Sequence, residues 1–184
     1  MSLPAFQAPA ETAPSQAWGL TELMHEFGAV SRSDARYVER RYLSMLKAPL
    51  ESSGTLTYVA PRTLRKETLQ PQHELLVVDG DVLTIEKDGE RHTLNRDDYP
   101  QIWAFIEGIR ATLAGDLPDL QAVYYVSLQG NAADWQLLLQ PRDLRMQEIV
   151  QTIRIAGSGA HIKRLVTQER DGDRTEMSIV ETAP

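Results

Sequence analysis

Turn chemistry at short intervals constrains this chain most. Asp79-Gly80 and Asp88-Gly89 each separate two short apolar or β-branched runs, and Asp171-Gly172 repeats the device near the carboxy end. Asp-Gly supplies the positive φ values that tight hairpin turns demand, so each pair ties two antiparallel strands together. Pro49, Gly54, Pro61 and Pro71 add further punctuation. Between these marks the pattern predicts strands at 36–46, 53–60, 63–70, 74–79, 82–87 and 90–95. Later strands are predicted at 122–129, 134–140, 148–156, 161–169 and 173–180, with turns at Gly130-Asn131, Gly157-Ser158-Gly159 and Asp171-Gly172. The sheet is read as a largely antiparallel meander.

Two helices interrupt it. Leu20, Leu23, Met24 and Phe27 recur at i, i+3, i+4 and i+7, the spacing of one helical face, which predicts a helix over about 18–30. Pro100 suits a first helical turn, with Asp97 or Asp98 as its cap. Ile102, Phe105, Ile106, Ile109 and Leu113, with Trp103 at the margin, then form an apolar arc ending near Ala114-Gly115. Leu117 to Leu120 add one more turn. Residues 1–17 hold Pro4, Pro9 and Pro14 among Ala, Thr, Ser and Gln and are predicted to be a flexible leader, leaving 18–184 as one domain. Many strands with few helices give an α+β domain, a wide curved sheet with helices over its concave side.

At 184 residues the chain can bury about 70% of its extended surface, a core that needs no staples. Nineteen Lys and Arg against 26 Asp and Glu leave a net charge of −7, which repels phosphate backbones, so no nucleic-acid partner is expected. Cysteine is absent, excluding disulfides and thiolate chemistry. No run approaches the ~20 apolar residues of a membrane-spanning helix. His25-Glu26 and His73-Glu74 resemble halves of a zinc-protease motif, but Ala29 and Val77 stand where the second ligand would be. The Asp-Gly-Asp pairs lack the alternating acids of a calcium loop, and Gly157-Ser158-Gly159 lies between strands rather than at a nucleophile elbow. Arg36, Arg40 and Arg41 read as cations keeping a sheet face soluble. No catalytic, metal or cofactor-binding residue is assigned. An acyl-ester hydrolase would need a nucleophile and base meeting in space, and no motif supplies them.

The stretch from Tyr37 to Asp81 resembles the LolA-like family, periplasmic carriers of outer-membrane lipoproteins. The resemblance lies in Tyr37-Val38-Glu39, Gly54-Thr55-Leu56-Thr57-Tyr58, Pro61 followed by Leu64, Gln70-Pro71, and Leu75-Leu76-Val77-Val78-Asp79-Gly80. The covering helix, the strands meeting near Trp135, the Pro141 stop and the last Asp-Gly-Asp hairpin follow in the family's order, so the likeness extends over about 18–180. It implies an incomplete β-barrel closed by a helical lid, with a hollow between them that receives acyl chains. Each methylene of such a chain costs about 0.8 kcal/mol in water, which is why a carrier must offer a dry cavity.

Carried over by position, the resemblance implies that Leu56, Tyr58, Leu64, Leu76 and Val78 line this hollow. Trp103, Ile106, Ile109 and Leu113 would face it from the lid, with Leu23 and Phe27 from the first helix. Its cargo would be an acylated lipid or lipoprotein, and its partners an inner-membrane donor and an outer-membrane acceptor. The protein would act as a periplasmic monomer, its signal peptide removed. The chain departs from the family at Ala60-Pro61, where the carriers place an arginine that ties sheet to lid. Arg62, Arg65 and Lys66 are the nearby residues that would take over the role. The other reading of the same fold is a non-catalytic adaptor of an envelope export complex, its hollow filled by side chains.

Overall fold

The computed structural model describes residues 18–182, so the leader expected over 1–17 lies outside the described residues. Helix α1 (Leu20–Gly28) precedes six strands, β1 (Arg32–Tyr42), β2 (Leu50–Val59), β3 (Thr63–Gln70), β4 (Glu74–Asp79), β5 (Val82–Lys87) and β6 (Glu90–Asn95). A 3-10 turn (Arg96–Asp98) leads into α2 (Pro100–Ala114) and α3 (Leu117–Val123). Strands β7 (Tyr124–Asn131) and β8 (Asp134–Pro141), helix α4 (Leu144–Gln147), and strands β9 (Val150–Ser158), β10 (His161–Glu169) and β11 (Arg174–Glu181) complete the chain.

All eleven strands join one antiparallel sheet in the order β6-β5-β4-β3-β2-β1-β11-β10-β9-β8-β7. The first and last strands, β1 and β11, pair at the centre, β6 and β7 are the two free edges, and the barrel stays incomplete. The Asp-Gly turns sit where the sequence places them, with Gly80 at φ 58°, Asp88 at 54°, Gly89 at 81° and Gly172 at 97°. A flat sheet of this strand number would be about 48 Å wide. Helix α2, about 22 Å long, nevertheless reaches both wings. Its Trp103 and Ile106 belong to one buried apolar cluster with Val78 and Leu83, while its Ala111 belongs to another with Leu137, Leu139, Ile153 and Ile155. A sheet curled around the helix lets one helix share in both clusters, so α1, α2 and α3 form a lid on its concave side.

Four expectations are corrected. Strand β1 starts four residues before the predicted 36–46 and stops at Tyr42, because Arg32 and Ser33 find partners in Val59 and Tyr58 while Leu43 to Pro49 leave the sheet as a loop. Helix α2 begins at Pro100, but neither Asp97 nor Asp98 caps it: both are coiled into the 3-10 turn, and Tyr99 holds the cap position without a side-chain bond. Strands β7 and β9 extend through the glycines read as turns, to Asn131 and Ser158. Helix α4, nucleated by Asp143 accepting from the Arg145 and Met146 N–H groups, was not predicted.

The lid is built on a close backbone contact. Gly115 ends α2 at φ 67°, and a Cβ there would strike the Met24 carbonyl and the Gly28 amide nitrogen of α1. Gly115→Ala therefore meets both the left-handed penalty and a backbone clash, and should cost about 2 kcal/mol or more. The expected result is a melting temperature lowered by roughly 6 °C; an unchanged melt would mean that α1 does not rest on α2.

Candidate functional site

Alternation along each strand sends every second side chain to the concave face. The register aligns these inward positions across the sheet: Tyr58 opposite Leu64, Leu64 opposite Val78, Val78 opposite Leu83. Two packed apolar clusters result. One wing gathers Val78, Leu83, Trp103 and Ile106, with Leu64, Leu76, Ile85, Leu94 and Ile102 against them. The other gathers Leu23, Met24, Phe27, Ala111, Leu120, Tyr124 and the inward residues of β8 and β9, with Ile109 and Leu113 at its margin. Phe27 meets Trp135 edge to face at 5.8 Å.

Of the residues proposed to line a hollow, Leu64, Leu76, Val78, Trp103 and Ile106 thus come together in the first cluster. Leu23, Phe27, Ile109 and Leu113 fall in the second. Leu56 and Tyr58 lie between, on β2. Four buried apolar residues, Ala35, Tyr37, Tyr58 and Met177, belong to neither cluster and all stand on the central strands β1, β2 and β11. They mark a seam between the two packed wings, beneath the lid.

The seam changes character along its length. Toward the β1–β2 loop it is polar: Lys66 Nζ lies 2.8 Å from Glu39 Oε2 and 5.0 Å over the Tyr37 ring, and the Tyr37 hydroxyl is 2.7 Å from Thr68 Oγ1. Toward the β2–β3 turn it is apolar, apart from the Tyr58 hydroxyl, which is buried without a partner. Burial pushes the Tyr58 phenol up, and the charge of Arg110 pulls it the other way. Burial likewise raises the Tyr124 phenol, with Glu107 adding to the effect.

A network of charges fastens the lid to the sheet beside this apolar end. Arg110 Nη2 donates to Glu107 Oε2 at 2.5 Å, and Arg110 Nη1 donates to the Gly80 carbonyl at 3.1 Å. Arg96 reaches Asp81 at 3.2 Å and lies 3.9 Å from Glu107. Helix α2 is therefore tied to the β4–β5 turn through a largely buried ion pair. The three residues expected to replace the missing arginine do otherwise. Lys66 pairs with Glu39 within the sheet, Arg65 pairs with Glu67 at 2.9 Å, and Arg62 lays its guanidinium against Gly80. The tie comes from the lid instead. Glu107 and Arg110, at i and i+3 on either side of Ile109 in an otherwise apolar arc, were a sequence signal for the ion pair, though not for its tie to Gly80.

Two open clefts flank α2. One, about 340 Å³, lies over Pro61, Arg62, Asp81, Glu107 and Arg110; the other, about 320 Å³, has Trp103 and Glu107 in its wall with Arg96 and Asp97 at its rim. Away from the lid, Glu169, Asp171 and Asp173 bring carboxylate oxygens within 4.8 Å of one another at the β10–β11 turn. There Asp171 accepts from the Asp173 N–H and Asp173 from the Ser44 N–H, as turn-forming acids do. His25 and His73 are exposed, and His73 meets Glu67 at 3.0 Å.

An open antiparallel sheet curled beneath a helical cover, apolar on the face it covers, defines a lidded half-barrel. The chain matches, over residues 12–183, the family described as outer membrane lipoprotein carrier protein LolA-like. It belongs to that family. Solved structures similar to it include a LolA superfamily protein from Nitrosomonas europaea, at 8% identity over 91% of this chain and 96% of that one, with a TM-score of 0.49. The lipoprotein LppX of Mycobacterium tuberculosis is similar at 11% identity over 90% and 96%, with a TM-score of 0.45. The MucA/MucB complex of Pseudomonas aeruginosa is similar at 13% identity over 89% of this chain and 57% of that one, with a TM-score of 0.44. No curated protein sequence matches. No helix among the described residues is long and apolar enough to cross a membrane.

Proposed function

We propose that the protein is a periplasmic carrier that holds an acylated lipid or lipoprotein between the half-barrel and its lid. The observation that carries this reading is the seam: buried apolar side chains between the two wings, polar toward the β1–β2 loop, beneath a helical lid that an ion-pair network fastens to the sheet beside the apolar end. An acyl chain entering it would leave water at about 0.8 kcal/mol per methylene, and opening the network would let it go. Cargo would pass from a donor at the inner membrane to an acceptor at the outer one, with the protein acting as a monomer and no chemical step on its cargo. Family membership and the placement of Leu56, Tyr58, Leu64, Leu76, Val78, Trp103 and Ile106 around one wing and the seam support it.

A second reading, the non-catalytic adaptor with a filled interior, is favoured by the other wing, where Leu23, Phe27, Leu137 and Ile153 are 0–1% exposed. Titration with a fluorescent long-chain amphiphile in detergent-free buffer separates the two. The carrier takes up probe saturably at one per chain. A protein that ignores the probe is the adaptor.

A further inference from the structure

Five tyrosine and tryptophan side chains are buried among the described residues. Three have their polar tips satisfied: the Tyr37 hydroxyl with Thr68, the Tyr124 hydroxyl donating to the Ala104 carbonyl at 2.9 Å, and Trp135 Nε1 donating to the Gly159 carbonyl at 2.9 Å. The other two, Tyr58 Oη and Trp103 Nε1, have no partner, although the side chains are 3% and 2% exposed. The one further buried atom of this kind, Arg174 Nε, stands 3.0 Å from Glu176 Oε1 and is ion-paired. The two exceptions stand on facing elements and are linked through Leu64. Tyr58 lies opposite Leu64 on the concave face, Leu64 packs against the cluster that holds Trp103, and Arg110, two helical turns on from Trp103 along the same face, is the charge felt by Tyr58.

A buried donor left unpaired lowers stability, and phenylalanine at position 58 would supply the same ring with no such loss. An alkyl chain offers these donors nothing. A carbonyl oxygen at the root of an acyl chain offers both an acceptor. We infer that Tyr58 and Trp103 form a donor pair for the ester or amide carbonyl oxygens of an acylated ligand seated between β2 and α2, so that the protein selects carbonyl-linked chains over ether-linked ones. This rests on the carrier reading above and names the chemistry which that site recognises.

The test is displacement of a bound fluorescent long-chain amphiphile by a diacyl phosphatidylcholine and by its dialkyl ether analogue of equal chain length. The ester lipid is expected to compete at about tenfold lower concentration, the worth of one hydrogen bond. Tyr58→Phe is expected to erase that preference while the unliganded protein melts at the same or a higher temperature; Trp103→Phe is expected to erase it too. Equal competition by both lipids in the wild type, or a preference that survives Tyr58→Phe, overturns the donor pair. So does a lower melting temperature of unliganded Tyr58→Phe, which would assign the hydroxyl to the fold. If the fluorescent probe itself does not bind, the carrier reading fails, and the donor pair with it.

Discussion

Replacing Arg110 by Met is expected to loosen the lid and destabilise the protein together. Glu107 and Arg110 expose only 8% and 13% of their side chains, so removing the guanidinium leaves a carboxylate buried with Arg96 at 3.9 Å as its nearest cation. Stranding one member of a buried pair costs about 3–5 kcal/mol, which in a domain of this size is a fall of roughly 10 °C in melting temperature. The bond to the Gly80 carbonyl goes with it, and that bond joins the lid to the β4–β5 turn. Release of a bound acyl probe, followed by stopped-flow dilution, should therefore accelerate. Double replacement of Glu107 by Gln and Arg110 by Met should recover much of the stability, since no charge is then stranded, yet keep the fast release. An unchanged release rate in both variants would mean that this network does not hold the lid.

The second large effect is expected at Val78. Its neighbours across the sheet are Leu64 and Leu83, and it packs with Trp103 and Ile106. Val78→Glu puts a carboxylate where no cation stands opposite, at a cost of about 3 kcal/mol or more, and acyl-probe uptake should fall by at least about a hundredfold. Leu76→Glu provides the variant that folds. Leu76 lies opposite Lys66, which offers a counter-charge, so the protein should melt near the wild-type temperature while uptake still fails. Wild-type uptake by Leu76→Glu would remove this wing from the binding site.

The β4–β5–β6 hairpins were legible to the residue, because Asp-Gly fixes both turn type and strand ends. Strand β1 was not. Leu43, Met45 and Leu46 extend the apolar pattern past Tyr42, yet they have no strand to pair with, and Met45 and Leu46 are exposed. The start of β1 was equally hidden, since Arg32, Ser33 and Asp34 look like loop until β2 lies beside them. A four-residue α4 is too short to show helical period. In the site, period-2 alternation found Leu56 with Tyr58 and Leu76 with Val78, because side-chain facing is a local property. The tie through Arg110 was out of reach, since its acceptor is a backbone carbonyl thirty residues away. So was the polar end of the seam, where Glu39 and Lys66 meet only through the β1–β2–β3 register. That Tyr58 and Trp103 lack partners is likewise a fact of packing, which no spacing records.

The most direct measurement is photo-crosslinking with a long-chain fatty acyl probe carrying a diazirine at its methyl end, followed by mass-spectrometric mapping of the labelled residues. The account predicts one label per chain, on the inward residues of β2 to β5 and on α2 between Trp103 and Leu113, and competed away by unlabelled acyl lipid. Labels confined to the outward faces or to the exposed β1–β2 loop, or labels that unlabelled lipid does not compete, would contradict it.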